Sequence, residues 1–446
     1  MKIKSVEMTS GSVMRGLLSL TVPIMIMNVA QSLFGLMDIA VLKASGFEST
    51  VGAVGACGML NVLCTSLLIG ISAGSGVVVA RYIGSGMKHR ARTAIVTSLI
   101  FAVLAGFVLL TVGGIFAEKF LIMTNCHVSL LPDATKYLRI YFFGIPVLML
   151  YNYSAAMLRA AGDTRRPMYY LFVCCVCKLV LTVTFIKLTG RGVESVGLAT
   201  VAANLVSCGL SVATLLRNKD IFDEGFSNVR FDLAELRAVL YNGVPAGVQS
   251  SLYAFANVVI TSAVNAFGPD ATAGIAIANQ YDGILYQISY APSLAVIPFV
   301  AQNMGAGDYK RVKKTLLYGV LITLGFGASL GAISAVFSRE LSCFLSSSPA
   351  VVEYSVQKMV IVSSTYFICG INEVLGGALK GMGNPIAPAL TSLVFLCLLR
   401  IVWVYYVFPY VQNMTFLYAV WPIGWTLSAV TLLIVLLSRY RLQKKS

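Results

Sequence analysis

Apolar stretches of about 20 residues or more recur along the whole of this chain, and each is long enough to cross the ~30 Å hydrocarbon core of a bilayer as one helix. They are separated only by short charged connections. The pattern predicts helices over 17–42, 51–80, 93–116, 137–158, 167–188, 193–216, 239–265, 271–300, 315–336, 354–379, 388–409 and 416–438. The chain has 446 residues, 58% hydrophobic and 11% charged, whereas soluble domains are about a quarter charged. The expected fold is all-α and integral to the membrane, with twelve transmembrane helices in two parallel six-helix lobes.

A formal charge of +15 from 33 Lys and Arg against 18 Asp and Glu could suit nucleic acid. The placement of the cations argues otherwise. They gather in alternate connections: Arg81, Lys88, Arg90 and Arg92; Arg159, Arg165 and Arg166; Arg217, Lys219, Arg230 and Arg237; Lys310, Arg311, Lys313 and Lys314; Arg439, Arg441, Lys444 and Lys445. This is the positive-inside pattern of a multi-pass plasma-membrane protein with both termini cytoplasmic, its cations meeting anionic lipid. No nucleic-acid partner is expected. Lys43, Lys119, Lys136, Arg139, Lys187, Arg191, Arg339 and Lys358 fall in outer loops and helix ends, which leaves Lys178 and Arg400 inside helices. Lys2 and Lys4 precede an apolar stretch as in a signal peptide, but the stretch is long and belongs to the repeat described next, so it is expected to be retained.

Most of the ten cysteines lie in apolar spans and read as small packing residues. Cys174, Cys175 and Cys177 spread around one helix with no His or carboxylate beside them, which excludes a metal site. The two histidines, His89 and His127, fall in connections on opposite sides, so no acid-base constellation for an enzyme is expected. No sizeable soluble domain points to a receptor, and no cofactor is implied.

The chain repeats itself at a spacing of 221 residues. Gly84-Ser85-Gly86-Met87-Lys88-His89-Arg90 aligns with Gly305-Ala306-Gly307-Asp308-Tyr309-Lys310-Arg311. The same offset pairs Phe116 with Phe337, Arg159 with Lys380, Gly162 with Gly383, Asp163 with Asn384 and Pro167 with Pro388, while Pro23 meets Pro245 one residue later. Six spans return each half to its starting side, so the halves are parallel repeats. They divide into an N-terminal lobe over 1–216, a cytoplasmic linker over 217–238 rich in mixed charge, and a C-terminal lobe over 239–446. Repeats of this kind characterise transporters that bind substrate between lobes and expose it alternately to each side.

Val79-Ala80-Arg81-Tyr82-Ile83-Gly84-Ser85-Gly86 and its partner Val300-Ala301-Gln302-Asn303-Met304-Gly305-Ala306-Gly307 carry a family resemblance. So do Met37-Asp38, and Leu158 to Thr164 with Leu379 to Pro385. In order, duplication and spacing these segments resemble the multidrug and toxic compound extrusion (MATE) family over nearly the whole chain. The resemblance implies a bacterial inner-membrane antiporter, acting as a monomer, that exports organic and mostly cationic compounds against inward H+ or Na+. A flippase for lipid-linked oligosaccharides or lipids is the alternative, since related exporters share two six-helix halves. Such flippases often have extra helices or a strongly cationic cavity. A facilitator-superfamily transporter also has six plus six helices, but its signature second loop is not reproduced by Met87 to Arg92.

Three acids fall well inside helices: Asp38, Asp282 and Glu373. A charge in hydrocarbon costs about 2.5–3.5 kcal/mol on insertion scales, which makes each a functional candidate, although a structural ion pair is the plainer reading. Asp38 corresponds to the family's first-helix aspartate that carries the coupling cation. Asp282 resembles an acid on the eighth helix of some members, and the two C-terminal acids are expected to form a second polar site. Lys178 and Thr182 stand where many relatives carry Asn and Asp. If the first and fifth helices neighbour each other as in that family, Lys178 can pair with Asp38, which puts coupling through Asp38 alone in question; Lys178 can equally face an aqueous cavity or a backbone carbonyl. Arg400 occupies nearly the equivalent place in the second half.

Gln31, Asn61, Asn152, Tyr253, Asn257, Tyr281 and Asn372 are candidate polar or aromatic cavity residues. Other tyrosines (Tyr151, Tyr153, Tyr286, Tyr290) and methionines (Met25, Met27, Met37, Met149) could line a soft cavity for flat cations, with packing the commoner role of any one. Pro23 and Pro245 are candidate hinges, or static kinks.

Overall fold

The structure, a computed structural model, describes residues 6–32, 34–124, 126–218 and 229–443. Among these residues every regular element is helical. The order is α1 (Val13–Ser32), α2 (Phe34–Ala44), α3 (Glu48–Gly84), α4 (Lys88–Met123), α5 (Leu131–Ala160), α6 (Arg165–Thr189), α7 (Gly192–Leu216), α8 (Leu233–Asn265), α9 (Pro269–Gly305), α10 (Tyr309–Val336), the short α11 (Ser338–Leu345), α12 (Pro349–Ser364) and α13 (Tyr366–Gly381). Two long runs close the chain, α14 (Ile386–Val411) and α15 (Met414–Arg439). Ten of the described helices are long and apolar enough to cross a membrane, or 11 when α12 and α13 count as one bent span. α8, with 33 residues, stands at the seventh expected position. Lys2, Lys4, Lys444, Lys445 and residues 219–228, within the expected linker, lie outside the described residues.

One expected helix is interrupted. The tenth bends by 44° between α12 and α13, where Ser364 Oγ donates to Val360 O (2.6 Å) and Thr365 Oγ1 to Ile361 O (3.0 Å). Hydroxyls that bond back to the preceding turn compete with the helix's own amides and bend it. α14 is continuous but widens into π-helix over Ser392–Leu398 and Trp403–Val407.

The chain clusters into two compact units. One comprises Met1–Val6 and Ala30–Gly243, the other Glu7–Val29 and Val244–Ser446. The division therefore passes through the interiors of α1 and α8, close to Pro23 and Pro245. In the first unit α3 and α8 meet backbone to backbone. A Cβ on Gly74 would stand 2.4 Å from Gly243 N, and one on Gly243 would stand 2.3 Å from Ile71 O. In the second unit the segment ahead of α1 is tied down by Arg311, whose Nη2 donates to Met8 O and Ser10 O and whose Nη1 donates to Gly11 O, each at 2.9 Å.

Backbone geometry repeats with the sequence. Gly86 and Gly307 both adopt left-handed φ, at 73° and 72°, and so do Gly162 and Gly383, at 84° and 79°. A side chain is strained at such φ, so these turns need glycine in both halves.

Candidate functional site

In the first unit, α2 carries one acid in an otherwise apolar stretch, and α6 packs against it. Lys178 Nζ of α6 lies 2.9 Å from Asp38 Oδ2, and both side chains are 7% exposed. Thr182, one turn on, spends its hydroxyl on Lys178 O (2.7 Å). The neighbours expected to line a cavity behave differently from one another. Gln31 and Asn61 are half-buried, and Asn61 O accepts from Tyr141 Oη (3.4 Å). Asn152 is buried and returns its amide to Leu148 O of its own helix (2.8 Å), which is a packing role. Met149, Tyr151 and Tyr153 are likewise buried in this unit's interior.

The second unit holds a larger network. Asp282 of α9 is paired with Lys358 of α12 at 2.7 Å and accepts from Ser363 Oγ at 3.3 Å. Lys358 also donates to Asn279 Oδ1. Its ammonium lies 5.5 Å from the centre of the Trp421 ring, and the Arg400 guanidinium lies 5.1 Å from the same ring. Arg400 Nη1 donates to Asn257 Oδ1 (2.8 Å). Glu373 of α13 accepts from Tyr253 Oη (2.6 Å), and Tyr253 leads to Tyr286, which stacks on Tyr290 at 5.6 Å and 7°. Asn372 is buried, with Oδ1 unpartnered. Tyr281 commits its hydroxyl to Leu341 O (2.8 Å).

The sequence reading put Lys358 at a helix end. The structure corrects this: Lys358 is 2% exposed and neutralises Asp282. The signal was present in the helical phase, because Val351, Ser355, Met359 and Val362 are buried on the same side of α12. Hydropathy alone does not report phase. Asp282 and Glu373 consequently do not share one partner, since each has its own.

The MatE family model matches residues 23–184 and 245–406, one match in each half and together most of the chain. The chain belongs to the MATE family. Among MATE relatives, the probable multidrug resistance protein YoeA of Bacillus subtilis is 27% identical over 394 residues, 86% of this chain and 84% of that protein. A FAD transporter of Shewanella oneidensis is 25% identical over 400 residues, 88% of this chain and 87% of that protein. The fold matches an outward-facing multidrug resistance MATE transporter with a TM-score of 0.90. It matches a transporter of the MOP superfamily from Pyrococcus furiosus, described as having a binding pocket of reverse polarity, with a TM-score of 0.92. Both matches are at 18% identity and cover 100% of each chain.

This chain is thus a membrane-integral MATE transporter rather than an enzyme, and its expected helical membrane fold is the one observed. Among the described residues no three His, Cys, Asp or Glu gather as metal ligands. Among the described residues, its buried polar groups include two ion pairs, Asp38–Lys178 and Asp282–Lys358, together with Glu373, hydrogen-bonded by Tyr253, and Arg400, which donates to Asn257.

Proposed function

We propose that this MATE protein is a cation-coupled antiporter that exports aromatic organic compounds bearing a cationic centre, with the Asp38–Lys178 pair as its coupling device. The carrying observation is that pair, 2.9 Å apart and 7% exposed on each side. Lys178 acts as a tethered counter-ion for Asp38. A proton or Na+ arriving at the carboxylate competes with the ammonium and releases it, so ion occupancy changes what holds α2 to α6. That is a contact difference of the kind that shifts a conformational equilibrium. The two halves, 1–216 and 239–446, expose the substrate alternately to each side, with Pro23 and Pro245 accommodating the bending of α1 and α8. Both termini lie in the cytoplasm and the protein works as a monomer among anionic lipids.

The substrate side of the reading is supported by Glu373 beside the tyrosines 253, 286 and 290, a carboxylate amid aromatic faces of the kind that holds organic cations. The names of the relatives point to organic, partly aromatic cargo. The test is efflux of a fluorescent organic cation from proteoliposomes under separately imposed proton and sodium gradients. One gradient should drive efflux, and Asp38→Asn should abolish it. Substrate binding with no response to either gradient would overturn antiport and favour a flippase.

A further inference from the structure

Two cations share one indole in the second unit, and only one of them has a carboxylate. Lys358 is matched by Asp282 at 2.7 Å. Arg400 forms no ion pair among the described residues; it donates to the neutral Asn257 Oδ1 and lies against Trp421. It is 2% exposed. A guanidinium has five N–H donors in a planar fork whose best partner is a two-oxygen anion, and a single amide oxygen leaves most of that capacity unused.

Arg400 is also one side chain away from an accessible surface. Asn257, which it holds, is exposed, and with Ser250, Tyr253 and Thr261 it forms a polar stripe at spacings of three and four residues along α8. Asn279, the amide that Lys358 holds, is exposed as well. The backbone marks the same place. Leu399–Val402 is a four-residue piece of α-helix between the two π-helical stretches of α14, and π turns inside helices recur at functional sites because they redirect side chains out of regular phase. The first half has no counterpart: 221 residues before Arg400 stands Leu179, and the neighbouring Lys178 is satisfied by Asp38.

We propose that Arg400, which shares the Trp421 indole with Lys358, is the seat for an anionic group of the transported compound, a carboxylate or a phosphate. The anion displaces the Asn257 carboxamide and takes the guanidinium in bidentate fashion. Arg400 is then the residue that admits acidic aromatic compounds to a transporter whose Glu373 and tyrosines suit basic ones. The inference rests on the reading of the chain as an exporter of organic compounds, but its test needs no gradient and so stands or falls separately.

The experiment is equilibrium binding to purified full-length protein carrying Trp403→Phe and Trp425→Phe, which leaves Trp421 as the sole indole, read by quenching of its emission. The probes are fluorescein, with a carboxylate, and rhodamine 6G, a cationic ester on a similar ring system. A second arm compares methylumbelliferyl phosphate with methylumbelliferone and separates phosphate from carboxylate. The anionic probes should quench Trp421. Arg400→Gln should weaken them by about tenfold or more while rhodamine 6G changes by less than about threefold, and Arg400→Lys should recover part of the loss. Asn257→Ala keeps the arginine and removes its neutral occupant. It should tighten anion binding, and it keeps the proposal testable if Arg400→Gln does not fold. Failure of both anions to bind the native protein, equal weakening of anion and cation in Arg400→Gln, or unchanged anion binding in Asn257→Ala would each overturn the assignment.

Discussion

Replacing Lys178 by Met tests whether the Asp38 pair is an energetic unit. The partners lie 2.9 Å apart with side chains 7% exposed, so removing the ammonium leaves Asp38 two courses. It can remain ionised without a partner, at a cost of about 3–5 kcal/mol for comparable buried pairs. It can instead take up a proton, which at pH 7 costs about 4 kcal/mol, roughly three pH units above the ordinary aspartate value at ~1.4 kcal/mol each. Both courses give about 4 kcal/mol, a large part of the ~5–15 kcal/mol that separates folded from unfolded domains. Adding Asp38→Asn removes the stranded charge, and a neutral pair of similar size is close to the native pair in stability. Unfolding of the native protein, both single variants and the double variant in one detergent forms a double-mutant cycle. The expected coupling is about 2–4 kcal/mol, with the double variant more stable than Lys178→Met. A double variant as unstable as the sum of its parts would show that the two charges contribute nothing to each other, and the tethered counter-ion would have to be abandoned.

Glu235, ahead of the apolar run of α8, accepts from Tyr82 Oη through both oxygens at 3.0 Å. Burial lifts its carboxyl above the ordinary 4.5, and the Tyr82 hydrogen bond only partly opposes this. The folded state therefore binds this proton more tightly than the unfolded state, so its contribution is fully present below 4.5 and is lost as pH rises through the raised folded value. Glu235→Gln should flatten that part of the pH dependence of thermal unfolding, and identical profiles for the two proteins would refute the assignment. Gly243→Ala should destabilise the first unit by about 1–3 kcal/mol, because its Cβ would stand 2.3 Å from the Ile71 carbonyl and backbone cannot step aside. Gly209→Ala meets nothing within 4 Å and should be neutral or stabilising by up to ~1 kcal/mol in the same unfolding assay.

The helical membrane fold was legible in the sequence because its cause is local. A bilayer demands about 20 apolar residues in a row and satisfied backbone hydrogen bonds within each span, and both requirements are met inside a single segment. The duplication was legible for the same reason: Gly86 and Gly307 are required by the φ of their own turns. Asp38, Asp282 and Glu373 announced themselves as charges in apolar surroundings. Which partner each one has was decided elsewhere. Asp38 meets a lysine 140 positions away, and Asp282 a lysine that hydropathy assigned to a helix end. Pairing across helices depends on rotational phase and on which helices touch, and neither leaves a mark on the mean polarity of a segment. The division of α1 and α8 between two compact units is equally invisible in sequence, since each is one unbroken helical pattern, and only packing determines which neighbours its two ends acquire. The sequence thus marked Asp38, Asp282 and Glu373 as chemically costly to bury, and the tertiary structure alone decided what each of them faces.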